Sequence, residues 1–177
     1  MNIENQSPTH HRDDLTGEHK FGDAGQLIIA IIFLIVWILD SFILKYTTFL
    51  NSYVPLAVQI TLGIIFLCAA FFMARTGMNI VFNEVRKTPG VIRKGIFSFI
   101  RHPIYLSEIL FYLSLICFRI SLAAVFIWFV AIAFLYFISR YEEKLLVKRF
   151  GQDYLQYMKD VPMFFPKLLR RKTRSSH

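Results

Sequence analysis

Arg101 and His102 stand about forty residues ahead of Arg140, Glu142 and Glu143, with apolar sequence between the two groups. Cations, an imidazole and carboxylates together could hold a zwitterionic, nucleotide-like ligand, because each charged end of such a ligand needs a charge-assisted hydrogen bond. The same set offers groups that move a proton. Just after the first group, Tyr105, Glu108 and Tyr112 follow one another at spacings of three and four, which places them on one face of a helix. A carboxylate about one turn inside an apolar run costs several kcal/mol unless it finds water or a partner, and Arg101 or Arg140 could supply one. Taken singly, Arg101 and Arg140 read as cations snorkelling to headgroups and Glu142 and Glu143 as charges on an exposed helix end. Taken together they read as a site.

Other chemistries lack their signatures. His102 is the only histidine near the carboxylates, no His-x-x-x-His or Cys-x-x-Cys spacing occurs, and no metal is expected. "PGVIRKG" carries Gly90 and Gly95 without the G-x-G-x-x-G arrangement of a dinucleotide turn. His10 and His11, adjacent in a polar tail, read as solvated. Cys68 and Cys117 lie far apart in apolar runs and read as small core residues rather than a disulfide.

The elements that must position these groups are membrane helices. Of 177 residues 55% are apolar, 19 are Phe, and the mean hydropathy is +0.49, well above the apolar share of a soluble domain. Four apolar runs stand out, at about Ala24 to Leu44, Val54 to Ala74, Ile104 to Phe118 and Ile120 to Ile138, against roughly 20 residues per crossing. The third is short. Pro103 suits its first turn, and about 15 residues at 1.5 Å each reach only about 22 Å, so one end is recessed into the interface.

Charge sets the orientation. Between Arg75 and Pro103 there are six basic residues against Glu84, and from Ser139 onward ten basic against four acidic. Both segments are expected on the cytoplasmic side, with the N- and C-termini. The net charge of +8 then faces anionic lipid headgroups rather than nucleic acid. The third and fourth runs become a hairpin that leaves the cytoplasmic face at Pro103 and returns at Ser139, bringing the two polar groups to one side. The last helix is expected to stop at Gly151. The polar start of the chain lacks the basic-then-apolar pattern of a signal peptide.

"VIRKGIFSFIRHPIY", the hairpin, and then "EEKLLVKRFGQDYLQYMKDVPMFFP" resemble the isoprenylcysteine carboxyl methyltransferase and phospholipid N-methyltransferase superfamily of integral membrane enzymes. The likeness covers about residues 88 to 166. It implies an all-α, polytopic membrane bundle of about four spans with a C-terminal helical hairpin and a cytoplasmic cofactor pocket. The expected organisation is a polar tail at 1–23, support helices and the start of a loop at 24–87, the methyltransferase core at 88–166 and a basic tail at 167–177. The resemblance further implies that S-adenosylmethionine is lined by Pro89, Gly90, Val91, Ile92 and Phe97, capped by His102, Pro103, Ile104 and Tyr105, and bonded at its polar end by Glu142. Glu108, Arg140 and Glu143 are the residues expected to serve catalysis. Arg101 could instead lock the fold by pairing with Glu143.

The sequence departs from the pattern at two places. Phe97 stands where the family has Tyr, which keeps the ring and removes a hydroxyl. Ile138 stands where prenylcysteine-type members have an Arg facing the substrate carboxylate, and Arg140 projects from another side of the helix. Methyl transfer to a lipophilic, membrane-borne acceptor is therefore expected, either isoprenylcysteine-like or an amine-bearing phospholipid headgroup. An NADPH-dependent lipid reductase and a noncatalytic membrane adaptor are the alternatives.

Overall fold

Helices α1 (Lys20–Ile38) and α2 (Leu56–Phe82) are apolar around most of their circumference, so periodicity alone assigns neither of them an inner face. Their packing is set instead by the helices that follow, α3 (Pro103–Phe118), α4 (Leu122–Phe150) and the short α5 (Gln152–Asp160). The computed structural model describes residues 20–82 and 90–164, with side chains from 24–81 and 90–164. The architecture is all-helical, with no strand among the described residues.

Among the described residues three stretches are long and apolar enough to cross a membrane: Ala24–Leu44, Leu56–Val81 and Leu122–Phe150. Their outward side chains, among them Ile28, Ile35, Phe71, Phe72, Phe129 and Phe137, are exposed to what would be lipid. Helix α3, with 16 residues, extends only about 24 Å and is the short element that the sequence predicts. Two helices outrun their apolar stretches. Helix α2 continues to Phe82 rather than stopping at Ala74, and α4 runs twelve residues past Ile138 to Phe150. Neither stretch holds a Pro, Gly77 is carried inside α2 without stopping it, and Gly151, with a φ of +57°, ends α4 as expected.

Helices pack as antiparallel neighbours, α2 along α3, α1 along α4, with α3 and α4 joined as the hairpin. Small residues permit the first pairing. A side chain at Gly63 would lie 2.5 Å from the Phe118 ring, and one at Gly77 would lie 3.0 Å from Ile104 Cγ1. In lipid, where helix association rests on close contact, such positions decide which faces meet. Between α1, α3 and α4 the buried core holds Ile29, Phe33, Tyr112, Ile116, Ala124 and Ala131, with the Phe33 and Tyr112 rings stacked at 4.3 Å. Cys117 is partly buried, but Cys68 lies on the outer side of α2 rather than in the core. A thiol is apolar enough that lipid accepts it as readily as protein does.

At the end of the bundle away from Pro103, α1 widens into a π-helical turn, Leu39–Leu44, that ends at Lys45 with a φ of +56°. The turn aims Asp40 inward. Its carboxylate accepts hydrogen bonds from the Thr47 backbone N–H and hydroxyl and from Ser121 Oγ at 2.6 Å. Ser121 also caps α4 by accepting from the Ala124 N–H, and Asn51 exchanges hydrogen bonds with the Ile120 backbone. Asp40 thus ties the α1–α2 connection to the α3–α4 connection.

Candidate active site at the polar corner

The hairpin brings the two polar groups together as the sequence predicts. Pro103 opens α3 at its first position, so His102 sits at the helix entrance with its ring turned toward α4. Its Nε2 lies 3.3 Å from Glu143 Oε1, and its Nδ1 lies 3.7 Å from Glu142 Oε2. Arg101 Nη1 lies 3.0 Å from Glu143 Oε1, with both side chains buried. Tyr105 donates its hydroxyl to Glu142 Oε1, and its ring stacks on His102 with an interplanar angle of 3°. Arg140 is half exposed, as its different helical side requires, and approaches Glu143 Oε2 at 3.7 Å. Glu143 is therefore the hub on which three cationic or ionisable side chains converge.

Burial pushes the pKa of His102 below its ordinary value; Glu143 pulls it back up, and Arg101 opposes that pull. A neutral imidazole has one N–H. Given to Glu143 at the shorter distance, it leaves Nδ1 as an acceptor facing another acceptor, Glu142 Oε2. The two atoms lie 3.7 Å apart.

Backbone and aromatic contacts hold this corner in place. The Arg101 N–H donates to the Pro162 carbonyl and the His102 N–H to Met163, while Phe164 packs against the His102 ring. Tyr157 of α5 donates to the Phe97 carbonyl at 2.7 Å, and burial raises the pKa of Tyr154 and Tyr157 above the ordinary value, keeping both hydroxyls protonated. Gly95, with a φ of +57°, starts the 3₁₀ turn Gly95–Ser98 that buries Phe97. A side chain there would meet Ile80 at 2.6 Å. Arg93 binds Asp153 at 2.7 Å.

Of the other expected cofactor-lining residues, Val91 packs against the cluster of Tyr154, Tyr157 and Val161, Ile92 is partly buried, Gly90 is exposed, and Pro89 lies outside the described residues. Pro103 is buried and Ile104 partly so, both against α2 at Gly77.

Glu108 stands apart from the corner. Neither Arg101 nor Arg140 pairs with it; Gln26 Nε2 donates to Glu108 Oε2 at 3.1 Å and the Tyr112 hydroxyl donates to Oε1. Helix α1, expected only to support, thus reaches a candidate catalytic group. The structure also adds Ser139, fully buried on the same stripe of α4 as Leu135 and Glu143. Among the described residues, Ser139 Oγ, Glu143 Oε2 and Arg101 Nε are buried without hydrogen-bond partners. Its place one turn before Glu143 was readable in the sequence; its lack of a partner was not.

Residues 50–153 match the phospholipid methyltransferase family. That is more than half of the chain and includes Arg101, His102, Glu142 and Glu143. The chain belongs to the phospholipid methyltransferase family. No curated protein matches it. The family match begins in the turn before α2, so α1 lies outside it, as do Tyr154, Tyr157 and the segment that pairs with Arg101 and His102. Membership identifies a membrane-embedded methyltransferase family, and the three apolar crossing helices agree with that setting.

Proposed function

We propose that the protein transfers a methyl group from S-adenosylmethionine to a lipophilic acceptor held in the bilayer, with an amine-bearing phospholipid headgroup preferred. The observation that carries this reading is the convergence of His102, Glu142 and Glu143, inside the family match, into one buried corner. The corner suits the donor's functional groups. Buried polar atoms of Glu143, Arg101 and Ser139 that lack hydrogen-bond partners among the described residues fit the amino, hydroxyl and carboxylate groups of such a ligand. Phe97 and Tyr105 supply aromatic surface, which favours a cationic sulfonium. When bound, S-adenosylmethionine supplies an already activated methyl group.

The protein's part is then placement. Burial of the corner excludes water, and the Arg101–Glu143–His102 cluster fixes the side chains before a ligand arrives, so little of the barrier is left to reorganisation. An ammonium nucleophile must give up a proton before its nitrogen lone pair can attack. Glu108 is the carboxylate lying nearer the lipid and can take it. Ile138, in place of a cation, removes the charge that would hold an acceptor carboxylate. The charge distribution favours a cytoplasmic corner with both termini on that side.

The experiment is calorimetric titration of detergent-purified protein with S-adenosylmethionine and with NADPH, beside Glu142→Gln. Saturable binding of the methyl donor alone, lost in the variant, is the expected result. NADPH binding in its place, or no donor binding by folded protein, would overturn the reading.

A further inference from the structure

Between α2 and α3, on the outer side of the bundle, lies a groove of about 330 Å³. Leu67, Ala70, Phe71 and Ala74 form one wall, and Ser107, Glu108 and Phe111 the other. Ser107 donates its hydroxyl to the Ile104 carbonyl, so Glu108 is the ionisable group on an otherwise apolar surface. The groove faces the space that acyl chains would occupy.

Glu108 is held differently from Glu143. Glu143 meets Arg101, Arg140 and His102, whereas both partners of Glu108 among the described residues are neutral donors, Gln26 and Tyr112. Each oxygen receives one hydrogen bond and keeps a second acceptor position. The carboxylate is thus oriented at both ends while its charge is left unbalanced. Gln26 shares an α1 face with Ile29 and Phe33, and Phe33 stacks on the ring of Tyr112. One helix face therefore fixes both donors, and this face lies outside the family match. A glutamine inside an apolar span is costly unless bonded.

We propose that Gln26 is a positioning residue that holds Glu108 to receive the cationic headgroup nitrogen of an acceptor lipid seated in the α2–α3 groove. This rests on the methyl-transfer reading for the word acceptor, but the lipid preference can be measured without turnover. Full-length protein in nanodiscs would be titrated with spin-labelled phosphatidylethanolamine and phosphatidylglycerol, comparing wild type with Glu108→Gln, Gln26→Met and Gln26→Asn. Wild type should prefer the amine lipid several-fold. Glu108→Gln should abolish that preference, and both Gln26 variants should reduce it at least threefold while calorimetric binding of S-adenosylmethionine is unchanged. Asparagine keeps the amide but falls one methylene short, so it serves should the methionine variant not fold.

An unaltered preference in a folded Gln26 variant, or none in wild type, would overturn the proposal. Loss of melting temperature with the preference intact would mean a structural role and would do the same. Failure of wild type to bind S-adenosylmethionine would instead fall on the methyl-transfer reading.

Discussion

Arg101 Nη1 sits 3.0 Å from Glu143 Oε1, and the two side chains are only 8% and 2% exposed. One charge comes from the loop before α3 and the other from the C-terminal half of α4, so the pair closes the hairpin at the point where the candidate site lies. Removing one buried partner strands the other. Glu143→Ala should therefore destabilise the protein by about 3–5 kcal/mol, whereas the double replacement Arg101→Met with Glu143→Leu should recover most of that loss. Thermal unfolding in detergent checks both, and equal losses in the single and double variants would contradict the pairing.

His102 makes stability depend on pH. Its folded pKa lies below the ordinary 6.5 because burial disfavours the imidazolium. The unfolded chain therefore binds the proton first on acidification. Above about pH 6.5 both states are neutral and the stability is full; as pH falls through 6.5 toward the folded pKa it declines. Melting temperatures measured from pH 8 to pH 5 should fall in wild type and fall less in His102→Gln.

Tyr157 should matter through its hydroxyl alone. Tyr157→Phe leaves the buried Phe97 carbonyl without its donor and should cost about 1–3 kcal/mol. If α5 were merely an appended helix, unfolding curves of Tyr157→Phe and wild type would superimpose.

Ser139 should separate folding from ligand binding. An unpartnered hydroxyl in the interior costs about 1–3 kcal/mol, so Ser139→Ala should raise stability by a kcal/mol or so. The same change should weaken binding of S-adenosylmethionine severalfold if the hydroxyl is kept for the ligand. A variant that is more stable and binds equally well would remove Ser139 from the site.

Asp40 predicts the opposite separation. Asp40→Ala should lower stability by roughly 2 kcal/mol, since it deprives Thr47 and Ser121 of a charged acceptor. Donor affinity, measured by the same calorimetry on protein that remains folded, should not change.

Legibility in the sequence followed the physics of each element. The hairpin was readable because Lys and Arg mark sides and because Pro103 and Gly151 punctuate helices whatever their neighbours. The corner followed from the hairpin, since topology alone brings Arg101 and His102 to Glu142 and Glu143. Gln26 was not readable. Its partner is 82 residues away, and which way an all-round apolar helix turns depends on contacts such as Phe33 on Tyr112. The pairing of Arg101 and His102 with Pro162 and Met163 is made by backbone groups, which every sequence offers equally. Cys68 was misplaced for a related reason: in a bilayer, outer and inner apolar positions do not differ in composition as they do in water.

The carboxylate of Asp40 collects donors from two loops that lie on the same side only when both helical hairpins have threaded the bilayer in the same sense. With one hairpin inverted, Ser121 ends on the opposite surface and the Asp40 carboxylate keeps only Thr47 of its own connection. The hydrogen bond between Ser121 and Asp40 is therefore open only to a chain whose two hairpins share one orientation.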